Sequence, residues 1–132
     1  MKFILLSLII TASSITYNLK QTPLEESIKR GSEIYTDFCM NCHLPNGEGV
    51  KNVYPPLAKS DFLAKNQEAS IRAVKYGVNG ELKVNGMTYK NVMAPLGLSD
   101  SEVADVMNYI NNSWGNKNKK MITKEVVEKI KK

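Results

Sequence analysis

Apolar and polar positions recur with different periods along this chain, and each change of period marks an element. Residues 3–10, Phe3-Ile4-Leu5-Leu6-Ser7-Leu8-Ile9-Ile10, are almost wholly apolar. Such a run is too short to span a bilayer, which takes about 20 residues. With Lys2 before it and the small residues Thr11-Ala12-Ser13-Ser14 after it, it has the pattern of a secretory leader. We expect residues 1–14 to be that leader, with an approximate boundary, an uncleaved interfacial anchor being the alternative. Further on, Thr22-Pro23-Leu24-Glu25 opens a helix: Thr22 caps, Pro23 suits the first helical position and Glu25 completes a capping box. Leu24, Ile28, Ile34, Tyr35 and Phe38 then form an apolar stripe that runs into Cys39. Residues 44–60, with Pro45, Gly47, Gly49, Pro55 and Pro56, read as a long irregular stretch. A short helix is expected over about 67–76, with Ile71 and Val74 inward and Gly77 stopping it.

Leu82-Lys83-Val84 and Met87-Thr88-Tyr89 flank Asn85-Gly86, the signal of a small hairpin. The clearest helix follows. Ser99 and Glu102 form a capping box, Val103, Val106, Met107 and Ile110 follow at i, i+3, i+4 and i+7, and Gly115 is the expected stop. Thr123 is the cap of a short basic helix carrying Val126, Val127 and Ile130. The pattern is mainly α, with long loops and few, short helices. Such a core is thin unless a large apolar cofactor fills its interior.

Composition adds bounds. The 132 residues suit one domain, and 42% hydrophobic with 23% charged residues excludes wholesale disorder. The net charge of +5 is unevenly placed. Residues 1–116 hold eleven Lys/Arg and eleven Asp/Glu, whereas residues 117–132 hold seven Lys and two Glu. The basic C-terminal tail is either a solvated, frayed end or a docking element for an acidic partner or an anionic membrane surface. It has no Arg and no aromatic residue, which argues against nucleic acid.

The two Cys and the single His fall within five residues, as Cys39-Met40-Asn41-Cys42-His43. This is C-x-x-C-H, the attachment motif of c-type haem. Two thiols at this spacing add to the two vinyl groups on one porphyrin edge, and the adjacent imidazole lies under the iron. Other uses of the residues fit less well. A four-ligand Cys/His zinc site lacks half its ligands. A thiol–disulfide site of the thioredoxin kind follows a strand, whereas this motif follows a helical pattern. With no second His, the other axial ligand is expected to be Met. Met1 leaves with the leader, Met40 lies between the thiols, Met107 belongs to a helix stripe and Met121 to the tail. Met87 and Met93 remain.

With these residues in place, about residues 22–116 resemble a class I monohaem cytochrome c, of the type found as soluble bacterial carriers and as domains of dehydrogenases and oxidases. Gly31 and Tyr35 match the small and aromatic positions on the first helix, and Tyr109 matches the aromatic where the last helix crosses that glycine. Pro55 and Leu57 match the residues after the haem motif, and Asn46-Gly47-Glu48-Gly49 matches its glycine turn. The runs Val84-Asn85-Gly86, Tyr89, Val92-Met93, Gly97-Leu98-Ser99-Asp100 and Asn112-Ser113-Trp114-Gly115-Asn116 are similar to one subgroup.

The resemblance implies a small cytochrome c fold, three to five short helices around one covalently bound haem c. It implies Cys39 and Cys42 as thioether positions, His43 and Met93 as axial ligands, and the Pro55 carbonyl as acceptor for the His43 imidazole proton. One departure is that Met93-Ala94-Pro95 has a residue between the ligand and the proline. Leu57, Val92 and Leu96 become pocket walls. Tyr54, Tyr89 or Trp114 either serve the haem or are ordinary core. The implied activity is one-electron transfer in an extracytoplasmic respiratory or dehydrogenase-linked chain, by an electron-transfer protein rather than an enzyme. A subunit of a larger oxidoreductase and an NO/CO sensor with a displaceable Met are the alternatives. Partners would be a quinol–cytochrome c reductase, a terminal oxidase or a dehydrogenase. The expected location is the periplasm, soluble or loosely membrane-associated. Residues 1–14 would be leader, 15–116 the haem domain and 117–132 the basic tail.

Overall fold

The computed structural model describes residues 21–118 and 120–132, so the expected leader lies outside the described residues. Six helices and one hairpin are present among them: α1 (Pro23–Phe38), α2 (Met40–His43), α3 (Asp61–Lys65), α4 (Gln67–Tyr76), β1 (Leu82–Val84), β2 (Met87–Tyr89), α5 (Asp100–Asn111) and α6 (Lys124–Lys129). Both capping boxes form, Thr22 with Glu25 and Ser99 with Glu102. The hairpin pairs Val84 with Met87 across Asn85-Gly86. The fold is mainly α, with six helices where three to five were expected, because the short α2 and α3 flank the irregular stretch 44–60.

The principal contact is α1 against α5. The expected apolar stripe describes α1's buried face only in part: Tyr35 is buried and Ile34 packs on the core, but the rest of the face is Ser27 and Gly31, and Phe38 is 47% exposed. Close approach explains this. A Cβ on Gly31 would overlap the Asp105 carbonyl and stand 2.8 Å from the Tyr109 Cβ, so only glycine lets the two backbones meet. Next to that crossing, the buried Ser27 hydroxyl donates to Asp105 Oδ1 at 2.6 Å, and the Arg30 guanidinium closes on the same carboxylate. Small and polar side chains do here what an apolar stripe cannot.

α5 is the central helix, with α1, α4 and α6 packed around it. It ends at Asn111, short of the expected stop at Gly115. Side chains beyond it take its last carbonyls: Asn112 Nδ2 donates to Asn108 O, Ser113 Oγ to Tyr109 O, and Asn116 Nδ2 to Ile110 O. Those bonds satisfy the C-terminal orphans that a further helical turn would otherwise have to satisfy.

Residues 117–132 do not trail into solvent. Ile122, Val127 and Ile130 are buried in the common core. The Asn108 amide grips the segment as a peptide group would, donating to Ile122 O at 2.8 Å and accepting from Ile122 N at 2.8 Å. It also donates to Ser27 Oγ, so one side chain joins α1, α5 and the C-terminal segment. Asn108→Ala strands the buried Ile122 backbone groups, each worth about 1–3 kcal/mol. We predict a loss of roughly 2–4 kcal/mol in denaturant unfolding, with hydrogen exchange rising first over residues 122–130. Unchanged protection there would refute the grip.

Candidate haem site

The Cys/His motif sits at the joint between α1 and α2. Cys39 N still donates to Tyr35 O, closing α1, while Cys42 N and His43 N both donate back to Cys39 O at 3.1 and 2.9 Å. One turn therefore carries both thiols and the imidazole to one side. After it the chain reverses at Leu44, φ 65°, and the buried Tyr35 hydroxyl donates to Leu44 O at 2.7 Å. Gly49 N donates to His43 O, so the turn is held from α1 and from the following loop.

His43 is 9% exposed. Its Nδ1 lies 2.9 Å from the Pro55 carbonyl, which can only accept, so Nδ1 carries the proton and Nε2 keeps its lone pair. Burial lowers the imidazole pKa and the Pro55 bond partly opposes this, leaving a neutral ring suited to iron. Burial, followed by the nearby Cys42 charge, pushes the Cys39 thiol up to about 11. A thiol–disulfide catalyst needs the opposite shift. Cys39 is buried, Cys42 is exposed, and both are free. Among the described residues no three His, Cys, Asp or Glu side chains assemble as a metal cluster.

Cys39, Cys42 and His43 open onto a cleft that is apolar on nearly all sides. Pro55, Leu57, Val92 and Met93 line it as expected, and so do Tyr54 and Tyr89. Val92 does so while 65% exposed, which places it at the mouth. Leu96 is not a wall. It packs partly buried against the core, because Pro95 already lies against Gly77 at the end of α4 and the chain has left the cleft. Trp114 is likewise elsewhere, 4.9 Å from the Tyr35 ring and 5.4 Å from the Tyr109 ring between centroids.

Of the methionines, Met93 and Met107 line the cleft, whereas Met87 on β2 does not. Met107 is 1% exposed within α5. Met93 is in a loop but fixed: its N–H donates to Val78 O at 2.9 Å, and Val78 N–H donates to Met93 O at 2.8 Å. Gly77 makes this possible. At φ 79° it admits a turn, and a Cβ there would meet the Met93 carbonyl and stand 2.9 Å from Pro95 N. The sequence marked Gly77 only as a helix stop and gave no sign of Val78. Other walls, such as Val74, Met107 and Ile110, lie on recognised helix stripes, but periodicity cannot tell a core-facing position from a cofactor-facing one.

Free thiols, a neutral imidazole with its Nδ1 tied to the Pro55 carbonyl, and an apolar cleft beside them fit a covalently held haem. Known proteins agree. Residues 28–114 match the family described as "Cytochrome c". Cytochrome c-552 of Thermus thermophilus is 38% identical over 109 residues, covering 76% of this chain and 82% of the relative. The cytochrome c subunit of the quinone alcohol dehydrogenase of Gluconobacter oxydans is 31% identical over 104 residues, covering 76% of this chain and 21% of the larger subunit. Cytochrome c6 of Bumilleriopsis filiformis is 37% identical over 87 residues, covering 63% of this chain and 87% of the relative. The chain belongs to the cytochrome c family, which works by haem-based electron transfer, and its cofactor is covalently bound haem c.

Proposed function

We propose that this protein is a one-electron carrier whose haem is held by thioethers at Cys39 and Cys42 and ligated by His43 and Met93. The observation that carries the reading is the cleft itself, which has a Pro55-oriented imidazole and a backbone-pinned methionine on its lining. The haem iron supplies the Fe(III)/Fe(II) couple. The Pro55 carbonyl orients His43 and raises its basicity as a ligand. The apolar walls exclude water and favour the less charged reduced iron, and a thioether ligand raises the potential relative to two imidazoles. The thioether edge at exposed Cys42 is the way in and out for electrons. Contacts of this kind are small and transient.

The chain spans most of cytochrome c-552 and about a fifth of the dehydrogenase subunit. As a carrier, its partners are a quinol-linked reductase or a dehydrogenase on the donor side and a terminal oxidase on the acceptor side. Export to the periplasm follows from the leader-like residues 1–14, with residues 15–116 as the haem domain. No helix among the described residues is long and apolar enough to cross a membrane.

With both axial positions filled from the chain, exogenous ligands are excluded. The ferrous holoprotein at neutral pH is predicted to leave CO unbound in a spectral titration. Ready CO binding would defeat the simple carrier and favour the sensor with a displaceable methionine.

A further inference from the structure

The seven Lys of residues 117–132 give this segment +5, while residues 21–116 hold nine Lys/Arg against eleven Asp/Glu. The described molecule is therefore strongly asymmetric in charge. The segment that carries the excess is rigidly mounted. Buried Ile122, Val127 and Ile130 anchor it, and three side chains of α4 hold its backbone: Lys75 Nζ donates to Val127 O, Tyr76 OH to Ile130 O and Arg72 Nε to Lys131 O. Lys117, Lys120, Lys124, Lys129, Lys131 and Lys132 are all exposed on it. Within it Lys124 pairs with Glu128, whereas Lys117, Lys120, Lys131 and Lys132 enter no ion pair among the described residues.

None of the described residues in this segment lines the haem cleft, and no Lys, Arg, Asp or Glu among the described residues does. The segment's described lysines are thus no part of the cleft lining, and of them Lys117 lines a neighbouring hollow that shares Ser60 and Leu63 with the cleft. The cations are also all Lys. Arg suits a fixed, forked contact with one carboxylate, whereas Lys is a point charge on a flexible stem. Flexible point charges suit a fluid surface whose anions rearrange under them, and each is attracted independently.

We propose that the docked C-terminal segment is a platform that seats the protein on a bilayer of anionic phospholipid, leaving the haem cleft free for a redox partner. That the partner needs the cleft rests on its being the proposed electron-transfer face. Vesicle binding is independent of redox activity, so the two readings fail separately.

The test uses the holoprotein, with haem absorbance reporting its co-sedimentation with vesicles of phosphatidylglycerol and phosphatidylcholine or of phosphatidylcholine alone. One variant combines Lys117→Gln, Lys120→Gln, Lys131→Gln and Lys132→Gln, whose side chains make none of the bonds that hold the segment. A charge-matched control combines Lys29→Gln, Lys51→Gln, Lys65→Gln and Lys83→Gln. The parent is expected to bind anionic vesicles, release them as salt rises, and leave neutral ones alone. The segment variant should lose about fivefold in affinity per lysine, with its haem spectrum intact, while the control stays near the parent. Equal losses in both variants, no loss in the first, or equal binding of the parent to neutral vesicles overturns the proposal. So does a variant that keeps its vesicle binding but is reduced more slowly by an acidic redox protein, which would assign the lysines to that partner.

Discussion

Met93→Ala is expected to give a holoprotein that has lost the methionine-to-iron charge-transfer band altogether and that takes up CO in the ferrous state. The haem stays attached, because both thiols and His43 lie on the α1–α2 turn, remote in sequence from residue 93. Stability falls too, by about 2 kcal/mol, the low end for truncating a partly buried methionine. Two companions make the result specific. Met87→Ala removes a methionine that does not line the cleft, and Met107→Leu removes the other one that does while conserving volume. Both should keep the band. Retention of the band in Met93→Ala, or its loss in Met107→Leu, would sink the proposed ligand.

The second large effect is expected at Gly31. In Gly31→Ala the new methyl meets the Asp105 carbonyl carbon at 2.6 Å and the Tyr109 Cβ at 2.8 Å, and the first of these is backbone. α1 and α5 must move apart. Alanine gains about 1 kcal/mol in helix propensity, but overpacking of this kind costs roughly 3 kcal/mol or more. The net loss is about 2 kcal/mol or greater by denaturant unfolding. Because α1 ends at Cys39, the shift also displaces the haem-bearing turn, so lower haem incorporation on expression should accompany the loss. A variant as stable as its parent would show that the crossing is looser than the structure has it.

What was legible in advance was what is decided within a few residues. The capping boxes at Thr22 and Ser99, the Asn85-Gly86 hairpin and the Gly77 stop all rest on local geometry. The Cys39-Met40-Asn41-Cys42-His43 motif is likewise local. The cytochrome c resemblance then supplied the Pro55 bond to His43, which the structure shows at 2.9 Å. What escaped was decided by distant partners. Nothing near Ser27 announces Asp105 and Asn108, so hydropathy found Tyr35 on α1's inner face but missed Ser27 and placed the exposed Phe38 there. The C-terminal lysines disguised Ile122, Val127 and Ile130, whose burial depends on α4 and α5. Truncation at residue 116 would consequently expose core, and charge substitution is the cleaner way to probe that segment. Leu96 failed as a wall for the same reason that Val78 went unnoticed. The path of the chain past Met93 is set by its pairing with a residue fifteen positions earlier.

That pairing has a consequence for how the molecule opens. Val78 and Met93 close a single excursion of the chain, hairpin included, between α4 and α5. Its bonds are made within itself and, at the Asn85 turn, with Asp61 at the start of α3, while α1, α5 and α6 are locked together elsewhere. The excursion can swing out as one unit with that lock intact, at a fraction of the global unfolding free energy. The two sides of the haem then have different lifetimes. The proposed histidine side, carried on the α1–α2 turn, lasts as long as the native state. The proposed methionine side renews itself on the much shorter timescale of a loop.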